Sequence, residues 1–262
     1  MAQMLIFGLG YTASRLAERL RSDGWQVDAT GSAGNLDFTD GEAVKAALER
    51  ATHVLSSVPP DRKSGLDPVL STYGRAFGDA WYGYLSSTGI YGDAVGAWVD
   101  ESAPTGTGRR SARSDADTLW VELGAHVFRL PGIYGPGRSA FERLNEGKAR
   151  RIDMPDQVFS RCHVDDIVSG VIAGLEAPAG AYNLSDDLPA SGNAVIEEAC
   201  RLSGAPLPPM QSLEEANLSP MALGFYSENR RVANGKAKRV LGWAPQYPTY
   251  REGLLGVRDT AQ

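Results

Sequence analysis

Short apolar runs and helix-spaced apolar positions alternate along this chain from its first residues. Met4-Leu5-Ile6-Phe7 is continuous and apolar, as a strand buried on both faces of a sheet should be. Ala13, Leu16, Ala17 and Leu20 then recur on one helix face, and Asp23-Gly24 stops that helix. The same alternation predicts a second strand over Trp25 to Ala29, a third over Leu36 to Phe38, and a helix from Gly41 to Arg50 capped from Thr39-Asp40. A strand from His53 to Val58, ended by Pro59-Pro60, and strands over Trp81 to Ser87 and His126 to Leu130 follow. Strand and helix in alternation imply an α/β fold, a doubly wound parallel sheet with crossover helices. One stretch resists. Only Gly31 to Asn35 separate the second strand from the third, where a parallel crossover needs about a dozen residues, so either Leu36 to Phe38 is unpaired or the fold is abbreviated there.

From residue 131 onward Gly/Pro-rich loops separate shorter elements, with helices near Ala140 to Glu146 and Asp165 to Leu175 and a strand over Ala181 to Leu184. This divides the chain into residues 1–135, carrying the sheet, and a smaller lobe, 136–262, partly interleaved with it. The 262 residues are 42% apolar and 22% charged, which excludes a disordered, collagenous or coiled-coil chain. Cys162 and Cys200 form neither a disulfide framework nor a metal cluster, and a reducing, cytoplasmic compartment is expected. No stretch approaches about 18 consecutive apolar residues and no basic leader precedes Met4, so neither a membrane span nor a signal peptide is expected. With 32 acidic against 26 basic residues the net charge is −6, which argues against nucleic acid as a partner and leaves a small molecule.

Gly8-Leu9-Gly10-Tyr11-Thr12-Ala13 follows the first strand and opens the first helix, the context that distinguishes a dinucleotide fingerprint from a chance glycine pattern. Gly8 permits the tight turn, Gly10 lets the backbone approach a diphosphate, and Ala13 permits close helix packing. The orphan N–H groups and positive end of the helix then face the phosphates. At the tip of the second strand Asp28-Ala29-Thr30-Gly31-Ser32 offers one acid and no arginine, so NAD and NADP both remain open. Asp28 reads equally well as a ribose ligand and as a strand-edge carboxylate.

Five further segments stand in order: Leu85-Ser86-Ser87-Thr88-Gly89-Ile90-Tyr91-Gly92, Arg129-Leu130-Pro131-Gly132-Ile133-Tyr134-Gly135-Pro136-Gly137, His163-Val164-Asp165-Asp166-Ile167, Tyr182-Asn183-Leu184-Ser185-Asp186-Asp187, and Lys238-Arg239-Val240-Leu241-Gly242-Trp243-Ala244-Pro245. Together they resemble the NAD-dependent epimerase/dehydratase family, the extended short-chain dehydrogenase/reductases, over nearly the whole chain, and most resemble its atypical branch. The resemblance implies a modified Rossmann fold that binds NAD or NADP. It implies contacts from Gly8, Gly10, Tyr11, Thr12 and Ala13 at the diphosphate and from Thr30 and Ser32 at the second strand's tip. Asp37 and Phe38 would lie at the adenine, Ser56, Ser57 and Val58 beneath the cofactor, and Pro131, Gly132 and Ile133 against the nicotinamide amide. The family's glycines, spaced by three, fall here on Phe7, Gly10 and Ala13, so the match is nearer the general dinucleotide fingerprint.

In that family a Ser or Thr polarises the reacting oxygen and a Tyr-x-x-x-Lys pair on the next helix moves the proton, the Lys lowering the Tyr pKa. Ser87 matches the first, with Thr88 beside it. The pair is missing: between Asp100 and Trp120 there is neither Tyr nor Lys. Shifted registers place Arg109/Arg113, Ser111/Asp115 or Ala112/Ala116 there, and an Arg keeps its proton at neutral pH. Tyr91 is a surrogate acid candidate, set against a role in shaping the pocket. His163 could donate a proton, set against a structural histidine that opens a helix. His53 and His126 read as core or edge residues. Tyr134, Arg138, His163 and Arg231 are the candidate substrate-binding residues, and Arg143, Arg230 and Lys236 add positive charge that could equally be a solvated face. Two functions follow. One is an NAD(P)-dependent oxidoreductase or epimerase-like enzyme that acts on a small polar, sugar-like or phosphorylated substrate with a non-standard acid. The other is a catalytically silent dinucleotide sensor. A homodimer through paired helices, as in related folds, is open.

Overall fold

The structure, a computed structural model, describes residues 2–108 and 111–260; Arg109, one member of the shifted pair, lies outside the described residues. The first half runs β1 (Gln3–Phe7), α1 (Tyr11–Ser22), β2 (Gln26–Ala29), α2 (Gly41–Arg50), β3 (His53–Ser56), α3 (Pro68–Tyr73), β4 (Trp81–Ser87), β5 (Trp98–Val99), α4 (Ser111–Glu122) and β6 (His126–Leu130). The second half runs β7 (Gly132–Tyr134), α5 (Ala140–Asn145), β8 (Arg151–Ile152), β9 (Arg161–His163), α6 (Val164–Ala173), β10 (Gly180–Asn183) and α7 (Gly192–Ser203). It ends with β11 (Met210–Gln211), α8 (Pro220–Tyr226), β12 (Arg231–Val232), α9 (Gly235–Val240) and α10 (Tyr250–Thr260).

Six strands form one sheet in the order β10-β6-β4-β3-β1-β2, every pair parallel. The strand order reverses between β1 and β3, the point at which open α/β sheets bind ligands beyond their carboxyl ends. One face is buried by α1 and α6 through Leu16, Leu20, Ile167 and Val171 on Met4, Ile6 and Phe128. The other is buried by α2, α3 and α4 through Val44, Leu48, Val69 and Trp120 on Leu5, Phe7, Tyr84 and Val127. β1 therefore alternates its residues between two cores, which is why its run is apolar throughout. A third cluster joins α5, α7 and α10. The edge strand β10 and the packed helix α6 come from the second half of the chain; of the three two-stranded parallel pairs, β5–β12 joins the two halves, while β7–β9 and β8–β11 lie within the second. Among the described residues no helix is long and apolar enough to cross a membrane.

The expected third strand is absent. Leu36 makes a single parallel bridge to Thr30, with its N–H on the Ala29 carbonyl at 3.0 Å, while the Asn35 side chain accepts the Ala29 N–H at 2.8 Å. Five residues cannot return the chain to a parallel start, so the segment folds back as a loop over the end of β2. The fourth predicted strand ends at Ser56, leaving Ser57 and Val58 in the turn beyond it. Helices α4, α7 and α10 stand where no helix was predicted.

Candidate functional site

Phe7 is register partner to Ser56, Ser56 to Tyr84, and Ser87 to Leu130, so Gly8, Ser57, Ser87 and Pro131 all lie at the carboxyl ends of adjacent strands. Gly8 has φ +85°, and a Cβ there would meet Ser57 Oγ and Val58 Cγ2 at 3.0 Å, so only glycine lets β1 turn this close to the end of β3. Thr30 fixes the turn: its hydroxyl accepts the Gly8 N–H at 3.1 Å and its carbonyl the Leu9 N–H at 2.9 Å. At Gly10 the space a Cβ would take is open. α1 begins there with no side-chain cap and no acid in its first turn. Its first N–H groups and the positive end of its dipole therefore face an open approach.

Around this turn the expected cofactor residues fall into distinct settings. Thr12 and Ala13 are buried at the helix start, and Ser56 is fully buried beneath it. Asp28 is engaged by Gln3 Nε2 at 3.2 Å, Asn35 Nδ2 at 2.8 Å and Arg50 at 3.6 Å. Ser32 is exposed. Asp37, also exposed, accepts the Thr39 N–H and hydroxyl, which hold its carboxyl below the usual range. The Phe38 ring packs edge-on to Phe7 and Tyr73, so it faces the core. Gly132 and half-buried Ile133 open β7, where the Gly132 N–H bonds Ser160 O at 3.1 Å.

Ser87 is half-buried at the tip of β4, and its Oγ accepts the Gly89 N–H at 3.1 Å, leaving the hydroxyl proton to donate. Thr88 is 5% exposed. Tyr91 is held rather than free to swing. Its hydroxyl donates to Asn183 Oδ1 at 2.8 Å and accepts from Arg129 at 2.9 Å, and burial pushes its pKa up to about 12. Arg129 in turn makes a two-pronged pair with Asp117, at 2.7 and 3.2 Å, and Ser86 donates to the same carboxylate at 2.6 Å. Arg113, on the helix where the family's pair would stand, donates to the Tyr84 hydroxyl at 2.7 Å and the Leu85 carbonyl at 3.3 Å. The part played by Asp117, Arg129 and Arg113 escaped the sequence reading. The available signal was the i, i+4 spacing of Arg113 and Asp117, which puts both on one helix face.

Of the candidate substrate residues, Tyr134, His163 and the Gly135–Arg138 turn are neighbours, while Arg231 lies apart in β12. His163 is 1% exposed and caps α6, its Nδ1 accepting the Asp165 N–H at 3.3 Å, and burial lowers its pKa to about 4. Tyr134, 8% exposed, is its register partner in β7–β9, with its hydroxyl buried and unpaired. Arg138 and Arg143 are exposed, on the turn before α5 and on α5. Arg231 lies in β12 with its guanidinium on the Gly96 carbonyl, and Arg230 pairs with Glu228 at 3.0 Å. His53 and His126 pack against Trp81, as core or edge residues.

No family model matches the sequence. A 3-diazoavenalumate denitrifying reductase from a Streptomyces species is 34% identical over 145 residues, 51% of this chain, and the chain spans about half, 47%, of that relative's length. Among solved structures, a functionally unknown conserved protein from Silicibacter pomeroyi is 41% identical with a TM-score of 0.86 over 99% of both chains. The Bacillus anthracis dTDP-glucose 4,6-dehydratase in complex with NAD is 17% identical, with a TM-score of 0.76 over 99% of this chain and 96% of that one. The human epimerase family protein SDR39U1 with NADPH is 14% identical, with a TM-score of 0.76 over 98% and 99%. With this sheet order and this glycine turn, the chain has the Rossmann-type fold of the NAD-dependent epimerases and dehydratases, the extended short-chain dehydrogenase/reductases.

Proposed function

We propose that the chain is an NAD(P)-dependent oxidoreductase of the epimerase/dehydratase type, acting on a small polar substrate, sugar-like or phosphorylated, without a Tyr-Lys proton pair. The observation that carries this reading is the uncapped start of α1 behind the open face of Gly10. That site fits a diphosphate: unpaired N–H donors, a favourable dipole, and room where any other residue would place a Cβ. The complexes of structural neighbours with NAD and NADPH support the cofactor, and the reductase name of the half-length relative supports the reaction class.

In this reading residues 1–135 bind the dinucleotide and 136–262 contribute most of the substrate side. The backbone from Gly8 to Ala13 receives the diphosphate. The Thr30-Gly31-Ser32 tip borders the ribose, where Asp28 is already engaged by Gln3, Asn35 and Arg50, so NAD and NADP both stand. Residues 37 and 38 border the adenine, and Ser57, Val58 and the 131–133 segment border the nicotinamide. A bound nicotinamide supplies a hydride donor or acceptor. Ser87, with Thr88 beside it, would offer a hydroxyl to the reacting oxygen, and the locked Tyr91 would shape the wall behind them.

The test is a titration of NADH and NADPH followed by Trp fluorescence, alongside a Gly10→Val variant. The wild type should bind at least one of the two. Nothing lies within 4 Å of its Cβ, so the variant should still fold, losing only a preferred N-cap residue worth about 1 kcal/mol, yet bind about tenfold or more weakly. Flat titrations with both dinucleotides overturn the reading. Binding without turnover of any carbonyl or hydroxyl substrate leaves the silent sensor in its place.

A further inference from the structure

Two guanidinium groups stand over the Tyr11 ring at the first position of α1, Arg15 and Arg138, each 5.6 Å from its centroid. Arg15 is neutralised by Asp165 at 3.2 Å. Arg138 is exposed and makes no ion pair among the described residues. The carboxylate closest to it in sequence, Glu142, spends its oxygens on the Gly137 N–H and on the N–H and hydroxyl of Ser139. The charge of Arg138 is thus left without a counter-ion beside a helix start that also lacks one.

Its base is firmly placed. Gly135 and Arg138 exchange two backbone hydrogen bonds, at 3.2 and 3.0 Å, closing a tight turn. The Tyr11 hydroxyl donates to the Pro136 carbonyl at 3.0 Å, and a Cβ on Gly135 would meet that hydroxyl at 2.7 Å and Val164 Cγ1 at 2.6 Å. The turn is therefore seated on the side chain that opens α1, and the guanidinium is stacked on the same ring. An Arg fork held on an aromatic platform loses little further freedom on engaging phosphate oxygens in two-pronged fashion.

We propose that Arg138 clasps the diphosphate of the bound dinucleotide, an inference that rests on the dinucleotide reading above. It moves Arg138 from the substrate, where the sequence placed it, to the cofactor. The clasp would come from the second half of the chain, so dinucleotide binding would also fix the 135–138 turn at the mouth of the site.

The experiment measures Kd for NADH and for NADPH, without substrate, on wild type, Arg138→Ala and Arg138→Lys, with thermal melting as the control on folding. Arg138→Ala should weaken both dinucleotides about tenfold, because the diphosphate is common to them, with the melting temperature unchanged. Arg138→Lys should fall between, since it keeps the charge and loses the fork. A change below threefold overturns the clasp, and so does a loss confined to NADPH, which would assign Arg138 to the 2′-phosphate. If the wild type binds neither dinucleotide, the function itself has failed rather than this residue's part in it.

Discussion

Replacing Tyr91 by Phe separates an acid from a structural hydroxyl. The ring is buried and its shape survives the substitution, so only the two hydrogen bonds of the hydroxyl are lost, to Asn183 Oδ1 at 2.8 Å and from Arg129 at 2.9 Å. Asn183 is fully buried, and an orphaned buried acceptor costs about 1–3 kcal/mol. Arg129 keeps both its bonds to Asp117 and a longer one to the Glu101 carbonyl at 3.4 Å, so its share is smaller. The expected loss is about 2–4 kcal/mol, or a fall in melting temperature of roughly 5–10 °C for a chain of this size. As a general acid Tyr91 would instead contribute about 10²–10⁴ in rate while affecting stability little. With a pKa of about 12 its phenolate is scarce at neutral pH, which also disqualifies it as a base. Thermal melting by circular dichroism, paired with NAD(P)H turnover, distinguishes the two. Combined with Asn183→Ala, the loss should fall short of the sum of the two single losses, because the Tyr91–Asn183 bond is shared, even though each substitution also removes a bond of its own, from Arg129 or to the Ala233 carbonyl. A melting shift under 1 °C together with a hundredfold loss of turnover would refute the structural assignment.

Asp186 is 2% exposed with both oxygens unpaired, and burial pushes its pKa up to about 8. Its folded value lies above the unfolded one near 4, so the stability it permits is complete below about pH 4 and is lost as pH rises through 8. Asp186→Asn should raise the melting temperature at pH 7–8 and flatten the decline between pH 5 and 8; an unchanged slope counts against it. Gly253→Ala would place a methyl against the Tyr134 hydroxyl and within 2.6 Å of Cζ, forcing α10 off β7 at a cost of about 1–3 kcal/mol, partly recovered by Tyr134→Phe. Melting curves of the single and double variants decide it. Turnover, where it is found, should show no limb from His163 or Tyr91 between about pH 6 and 9, since the first is shifted to about 4 and the second to about 12. A limb near pH 6.5 that disappears in His163→Gln would contradict this.

What could be read from residues alone follows from how one-sided each element's burial is. β1, β4 and β6 were legible because their residues face two cores in turn, and α1 because Ala13, Leu16, Ala17 and Leu20 form a single apolar stripe. Helix α4 was hidden because its inward face includes Ser114 and Asp117, and a polar face turned to an ion pair carries no hydrophobic period. Leu36 and Phe38 imitated a strand for the opposite reason. They pack into the core from a loop, and alternation of buried side chains over three residues does not reveal whether the backbone is paired. The glycine turn was legible at full detail, since a positive φ and an open Cβ position at Gly8 and Gly10 are requirements that residue type expresses directly. The direction in which His163 and Arg231 present their side chains was not. Whether a His caps a helix or points into a cleft depends on the few degrees of chain direction around it, and His163 opens α6 with the same letters either way.

The helix face beside Ser87 explains why the proton pair can be missing without disturbing the fold. Arg113 and Asp117, one turn apart on α4, bond the residues that lead to the ends of β4 and β6: Arg113 the Tyr84 hydroxyl and Leu85 carbonyl, Asp117 the Ser86 hydroxyl and the Arg129 guanidinium. These charges fasten the helix to the strand ends that carry Ser87 and Pro131. A guanidinium does not give up its proton near neutral pH, and a carboxylate spent on Arg129 and Ser86 is not free to accept one from a substrate. In the proposed reaction the protein's contribution is then confined to placing the acceptor, donating hydrogen bonds from Ser87 and Thr88, and excluding competing geometry. On that proposal such a site would favour acceptors electron-poor enough to take a hydride before any proton arrives and would discriminate against simple ketones, whose alkoxide needs an acid at hand.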